Sequence, residues 1–422
     1  MEVVYRRCCG IDVHKKSIAV CVSILKEGGL RQEHRTFATY TAALRETAAW
    51  LRQQQVTHVA MESTGVFWVP VWNVLEQELA DRIASGDLEL VLVNAQHVKA
   101  IPGYKTDRKD GKRLSELMMY NLLPRSFVPR AEIRDLRELV RCRTRKVQDV
   151  ARLANRIQRL LEQGNIKLAA VASDVLGVSG RRMLQALAQG STEPTALAEL
   201  AVGVLRKKEE SLRLALEGQL RPVHQLVLTQ MLRELQAQEG QIAGLEAAIR
   251  TAVEPYAALL GIWRSIPGIS EVASWTLLAE LGPEMRQFPS AGDLASWAGL
   301  CPGNHESAGI QKRGTKPHGN IWIGRVLCQA AWAASRTKHS RFQAQLRRIA
   351  MRRGIKRALI AVAHTLLQLA YTLAIRGCRY VEGSDNEPTR RRQLARAVHL
   401  ARELRALGHQ VTLRPLAPET SG

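Results

Sequence analysis

The chain has 422 residues, 46% of them hydrophobic, which is too long for one ordinary domain and enough for two or three with real cores. Lys and Arg number 61 against 39 Asp and Glu, a net charge of +22 that strains a compact chain by self-repulsion unless a polyanion offsets it. Nucleic acid is the partner this charge selects, since Lys and Arg displace counterions from its phosphates. Seven cysteines, odd in number and without a CxxC pair, argue against a disulfide framework and a zinc ribbon and fit a reducing cytosol.

In chain order, Cys8–Val13 and Ser17–Leu25 are apolar, β-rich runs joined at His14-Lys15-Lys16, the pattern of a hairpin. No secretory signal is expected, because Arg6, Arg7 and Asp12 break the first apolar stretch. A short third strand fits Arg35–Thr39. A helix over 41–54, a strand at Val56–Met61, a helix over Val66–Ala80, a strand at Leu88–Val93 and a helix over Thr106–Leu123 follow. A meander succeeded by crossovers predicts a mixed sheet with helices on its faces, the order of an RNase H-like domain spanning 1–128.

Pro124 and Pro129 mark a boundary. From Ala131, apolar residues from Ile133 to Leu160 recur at threes, fours and sevens, which predicts a long amphipathic helix of coiled-coil type. Arg141, Arg143, Arg145, Lys146 and Arg152 decorate it. Four cations within Arg141–Lys146 and no acid read as a phosphate-tracking face; a solvated helix face is the plainer alternative. Helices continue through 129–255, with a second coiled-coil spacing over Leu232–Ile249. A small, mainly helical domain is expected over 256–380 and a basic tail over 381–422, with an amphipathic helix around Leu394–Leu407. The apolar run Leu359–Ile375 contains His364 and Gln368 and falls short of the ~20 residues a bilayer needs, so a buried helix is expected there.

Four acids fall where chemistry could use them. Asp12 ends the first strand, Glu62 ends the strand Val56–Met61, and Asp107 and Asp110 open the helix that follows the last strand. Asp107 and Asp110 are three apart and share a helix face. Carboxylates at strand ends and at a nearby helix start can converge in an α/β crevice. Gathered together they need a cation, and hard Mg2+ with oxygen ligands suits them. Taken singly, Asp107 and Asp110 could serve the helix dipole and Glu62 could cap the next helix. A Gly-Ile-Asp strand also opens sugar-kinase-like ATPases, although no Gly-rich phosphate loop follows the first hairpin. His14 reads as a turn residue. Tyr104 has no Arg/His constellation to support it as a nucleophile.

Toward the carboxyl end, Ser265-Ile266-Pro267-Gly268-Ile269-Ser270 precedes a helix at Glu271–Leu281 and resembles a helix-hairpin-helix turn, a form that can hold a phosphate on exposed N–H groups. Further on, Ser307 lies in Glu306-Ser307-Ala308-Gly309, with Lys312, Arg313 and Lys316 close behind. Flanking cations would neutralise charge developing at a phosphoryl group. Spacing alone does not separate Ser307 from an ordinary loop serine, which needs a base or metal to act as a nucleophile.

Together Gly-Ile-Asp-Val-His-Lys, Met-Glu-Ser-Thr-Gly, Lys-Thr-Asp-Arg-Lys-Asp, Ile-Pro-Gly-Ile and Gly-Leu-Cys-Pro-Gly…Glu-Ser-Ala-Gly resemble the DEDD-type insertion-sequence transposases. These are the bridge-RNA-guided recombinases related to pilin-gene invertases, and the resemblance runs from about residue 6 to 380. It implies a RuvC-like domain, a coiled-coil segment and a small transposase domain. It also implies a Mg2+ site on Asp12, Glu62, Asp107 and Asp110, and a nucleophilic Ser307 forming a transient covalent link to DNA. A site shared across protomers of a tetramer (a dimer of dimers) is implied too, with a structured non-coding RNA pairing to target and donor DNA. The chain departs from the family at Gly319-Asn320-Ile321-Trp322-Ile323-Gly324-Arg325, where the arginine stands one residue later than in the family pattern.

Overall fold

The computed structural model describes residues 2–63, 65–94, 107–301, 305–307, 310–312, 319–338, 340–382 and 390–413. Of 107–109, 305–307, 310–312 and 390–396 it describes the backbone only. The chain forms two compact units, Met1–Val128 and Pro129–Gly422.

The first unit is a mixed α/β structure built on a six-stranded sheet. The strands are β1 (Arg7–Val13), β2 (Ser17–Lys26), β3 (Gly29–Ala38), β4 (His58–Glu62), β5 (Glu89–Val93) and β6 (Arg125–Ser126), in the spatial order β3-β2-β1-β4-β5-β6. The β1–β2–β3 meander is antiparallel, while β4 runs parallel to β1 and β5 parallel to β4. This order is consistent with an RNase H-like domain. The hairpin forms where it was expected, closed by the His14 N–H donating to the Ser17 carbonyl at 3.0 Å. Strand β3 begins six residues before the expected Arg35, because its first half is a polar edge ribbon without an apolar alternation to betray it. Strand β4 starts at His58 rather than Val56, since Gln55 has φ +51° and the chain is still turning there.

Helices α1 (Thr41–Gln53), α2 (Trp68–Glu78) and α3 (Ala80–Ala84) accompany the sheet. The helix expected over Val66–Ala80 is α2, and α3 follows it after a break. Leu79 leaves helical angles and turns its side chain fully inward. Helix α4 (Asp107–Met119) ends before Asn121, at φ +53°. Strand β1 is buried on both faces, as alternation requires: Cys9, Ile11 and Val13 join the core with Leu44, Leu51 and Leu75 of α1 and α2. On the other face Cys8 packs with Leu114 and Met118 of α4.

Among its described residues the second unit is helical, apart from a short β7–β8 ribbon (His305–Ser307 and Ile310–Lys312). Helix α5 (Ala131–Gln163) pairs with the later helix Pro222–Val253. Arg143 meets Glu246 at 2.7 Å and Arg156 meets Glu234 at 3.1 Å, so the two helices run antiparallel. Ile133, Leu136 and Val140 at one end of α5 enter one core, and Leu153, Ile157 and Leu160 at the other end enter a second. Between the pair, α6 (Leu168–Val171), α7 (Val178–Ala188), α8 (Pro194–Glu199) and α9 (Glu209–Ala215) build that second core; the long partner of α5 is α10. Helices α11 (Ala257–Arg264), α12 (Glu271–Leu281), α13 (Ala291–Trp297), α14 (Ile321–Arg336), α15 (Arg341–Arg353) and α16 (Ile355–Arg376) surround the first core, and α17 (Arg390–Ala406) follows. Helix α16 is long and apolar enough to cross a membrane, but Val362, Ala363, Leu366 and Leu367 are fully buried in that core.

Candidate active site

Strand β1 carries Gly10 and Asp12 on the face that α4 covers, because residues two apart share a face. On β4 the same face holds Ala60 and Glu62. The parallel register pairs Ile11 with Met61, so Asp12 and Glu62 follow side by side at the carboxyl ends of adjacent strands.

Helix α4 crosses this face at close range for a steric reason. A Cβ built on Gly10 would lie 2.1 Å from the Gly111 carbonyl oxygen and 2.5 Å from the Ser115 nitrogen. Only glycine lets the helix backbone rest on the strand backbone there. A hydrogen bond of 2.7 Å between Ser23 and Ser115 hydroxyls, both buried, ties the same helix to β2. Met119 accepts backbone hydrogen bonds from Val4 and Tyr5, and Met118 packs with Cys8 near the start of β1. The helix therefore runs opposite to β1, and its first turn, with Asp107 and Asp110, lies toward the end of the strand that bears Asp12. Sequence spacing placed the four acids on three elements. The backbone brings the ends of those three elements to one end of the sheet.

Asp12 is buried at 6% exposure, and its Oδ2 lies 3.2 Å from the Nε2 of His14. His14 is thus the turn residue expected and also a neighbour of the acid. Among the described residues no group of three or more His, Cys, Asp or Glu side chains is gathered closely enough to hold a metal. The Asp107 side chain lies outside those described, as do Tyr104 and Thr106 altogether. The donor set is nonetheless chemically apt for a hard cation. It is carboxylate-rich, and it includes an acid that the fold keeps away from solvent, where a counter-charge is worth most.

In the second unit Ser307 ends β7 and pairs with Ile310 across the ribbon. Lys312 lies in β8, while Arg313 and Lys316 fall outside the described residues. The chain on either side of this segment is pinched together. A Cβ on Gly319 would sit 2.3 Å from the Gly299 nitrogen and 2.4 Å from the Ala298 carbonyl carbon. Asn320 then opens α14, its Oδ1 accepting from the N–H groups of Trp322 at 2.9 Å and Ile323 at 3.1 Å, the standard economy of an N-cap. Its Nδ2 donates to Glu280 Oε2 at 2.7 Å.

Glu280 is a feature that sequence reading did not single out. It is 1% exposed in the last turn of α12, among Leu277, Leu278, Ala279 and Leu281. Arg141 grips it with two hydrogen bonds of 2.7 and 2.8 Å, and Arg137 stands 3.6 Å away while donating to the Ala279 and Glu280 carbonyls. Burial lowers the Arg137 pKa from its usual value despite the neighbouring carboxylate. The guanidinium of Arg141 also lies 5.3 Å from the ring centroid of Trp322, and that of Arg145 at 5.7 Å. The signal for Glu280 was available: an acid flanked by Leu277, Leu278, Ala279 and Leu281 in the apolar half of a helix implies a buried cation partner.

Of the cations expected to track phosphate, Arg141 thus serves Glu280, Arg143 pairs with Glu246, and Arg152 pairs with Asp149. Arg145 is exposed and Lys146 half-buried. At the other expected phosphate contact, Gly268 has φ +87°, and a Cβ there would meet the Ala330 carbonyl of α14 at 2.2 Å. Packing accounts for that glycine, and Ser270 caps α12 through its hydroxyl.

Comparisons with known proteins accord with this architecture. Residues 9–166 match a DEDD-type model described as a transposase, and residues 261–347 match a model described as the transposase IS116/IS110/IS902 family. A Pseudomonas aeruginosa chain bearing the designation family 20 transposase is 25% identical over 341 residues, 79% of this chain and 88% of that one. A Sinorhizobium fredii chain with the transposase designation y4pF/y4sB is 28% identical over 131 residues, 29% of this chain and 33% of its own length. The protein is a transposase, of the class whose DEDD domains generally use divalent metal ions. Both model matches are to the IS110 type of transposase, and that family implies the cutting and rejoining of DNA.

Proposed function

We propose that this transposase exchanges DNA strands with Mg2+ held by Asp12, Glu62, Asp107 and Asp110 and with Ser307 as the nucleophile. The observation that carries the reading is the meeting of the β1 end, the β4 end and the α4 start on one face of the sheet. A bound divalent cation would polarise the scissile phosphate and offset charge in the in-line transition state. The Ser307 hydroxyl attacks phosphorus and its proton passes to a base. The bond from phosphorus to one deoxyribose oxygen breaks; that oxygen takes up the proton the base received and leaves as the hydroxyl of a released strand, while the serine stays esterified to the phosphate that ends the other. Attack by a second strand's hydroxyl reverses the step and frees the serine. Lys312, Arg313 and Lys316, close to Ser307 in sequence, would counter phosphate charge. Arg145 and Lys146 are the cations of the α5 run that remain for backbone contacts.

The resemblance of the motifs extends the proposal to a structured non-coding RNA that pairs with target and donor DNA, and to a tetramer in which acids and serine come from different protomers. The test combines full-length protein, RNA transcribed from the element's non-coding end, end-labelled junction DNA and Mg2+. A covalent protein–DNA adduct is expected from the wild type and from neither Ser307→Ala nor Asp12→Asn. Normal cleavage without any adduct in Ser307→Ala would instead indicate a hydrolytic RuvC-like nuclease, in which the acids act on water.

A further inference from the structure

Between Asp293 and Glu382 the sequence holds a single acid, Glu306, against fifteen Lys and Arg. Six of these cations surround one corner of the second unit. Arg347, Arg348, Arg352 and Arg353 occupy the carboxyl-terminal half of α15, and Lys356 and Arg357 occupy the first turn of α16. All six are exposed, and among the described residues none has an acidic partner. The helices packed together here, α14, α15 and α16, contain no acid.

Stability does not explain the arrangement. Arg352 and Arg353 suit the negative end of the α15 dipole, but Lys356 and Arg357 sit at the positive end of α16, where acids are favoured and none is present. Six like charges over eleven residues repel one another, and an external anion would relieve that repulsion. The corner also exposes apolar side chains among the cations: Met351 at 83% and Ile355 at 43%. Cations interleaved with exposed apolar side chains fit the sugar–phosphate surface of a duplex, with phosphates to neutralise and groove walls to touch.

We propose that this α15–α16 corner is a docking surface for the backbone of duplex DNA. The reading is independent of the serine and the acids, because it concerns binding and requires neither metal nor cleavage. The test titrates full-length protein into a fluorescent duplex of arbitrary sequence, without divalent metal, across a series of salt concentrations. The pair variants are Arg352→Ala/Arg353→Ala and Lys356→Ala/Arg357→Ala. A third pair, Arg206→Ala/Lys207→Ala, removes the same charge from an exposed 3-10 helix elsewhere in the unit. Each corner pair is expected to weaken binding about tenfold near 0.1 M salt and to flatten the salt dependence by about two counterions, while the control pair changes little. Helix content by circular dichroism should remain that of the wild type, since alanine suits these exposed helical positions. Equal losses from all three pairs would mean that net charge alone matters and would overturn the proposal. So would corner variants that bind duplex DNA normally and lose affinity only for a structured RNA.

Discussion

Alanine at position 10 is expected to destabilise the first unit and to remove strand cleavage together. The added methyl would stand 2.1 Å from the Gly111 carbonyl oxygen and 2.5 Å from the Ser115 nitrogen. Both obstacles are backbone, so the strain can be relieved only by lifting α4 from β1. Overpacking of this kind costs about 1–3 kcal/mol, and occasionally more. The activity loss should be disproportionate, because α4 brings Asp107 and Asp110 toward Asp12. A displacement of about 1 Å in such an arrangement is enough to cost about a hundredfold in rate. Gly111→Ala is the graded control: its Cβ would meet the Ala19 and Gly10 carbonyl oxygens at 3.1 and 3.3 Å, contacts that a small adjustment can absorb. Denaturant midpoints and cleavage rates of the two variants provide the check. A Gly10→Ala protein with wild-type midpoint and rate would show that the close approach does not position the helix.

The second large effect is expected at Glu280. Removing its carboxylate in Glu280→Ala leaves Arg137 and Arg141 facing a site that is 1% exposed, and breaking a buried ion pair from one side costs about 3–5 kcal/mol. Glu280→Gln preserves the shape and an oxygen to accept from Asn320, so its loss should be smaller. Combining Glu280→Gln with Asn320→Asp exchanges amide and acid across the 2.7 Å hydrogen bond, keeps an oxygen for capping α14 and restores a carboxylate near Arg141. The double variant is expected to recover a large part of the stability lost in Glu280→Gln, read as the urea midpoint of the full-length protein. If the double variant is instead less stable than either single change, the Glu280–Asn320 hydrogen bond does not bear the role assigned to it.

The amino-acid sequence made some of this legible and hid the rest for physical reasons. The β1–β2 hairpin and the strand ends carrying Asp12 and Glu62 follow from local apolar alternation, which depends on near neighbours. The first half of β3 and the two residues of β6 have no such alternation and became visible only through their pairing with β2 and β5. The packing of α4 on β1 depends on Gly10 and Gly111, two glycines a hundred residues apart, and periodicity carries no trace of such a contact. The same distance misled the reading of charge. Arg141 looked like a free cation within a local run, yet its partner Glu280 lies 139 positions away. The cations of the α15–α16 corner form a local run in the sequence, but that they stay exposed and lack acidic partners among the described residues is a fact of the fold.

In the proposed site one divalent cation would touch three elements of the first unit: the end of β1, the end of β4 and the start of α4. Loading Fe2+ in place of Mg2+ in the full-length protein and generating hydroxyl radicals at the bound ion tests it most directly. Backbone cuts are expected beside Asp12, beside Glu62 and around Asp107–Gly111, all suppressed by excess Mg2+. Cuts confined to one of these segments, or falling outside all of them, would contradict the shared site.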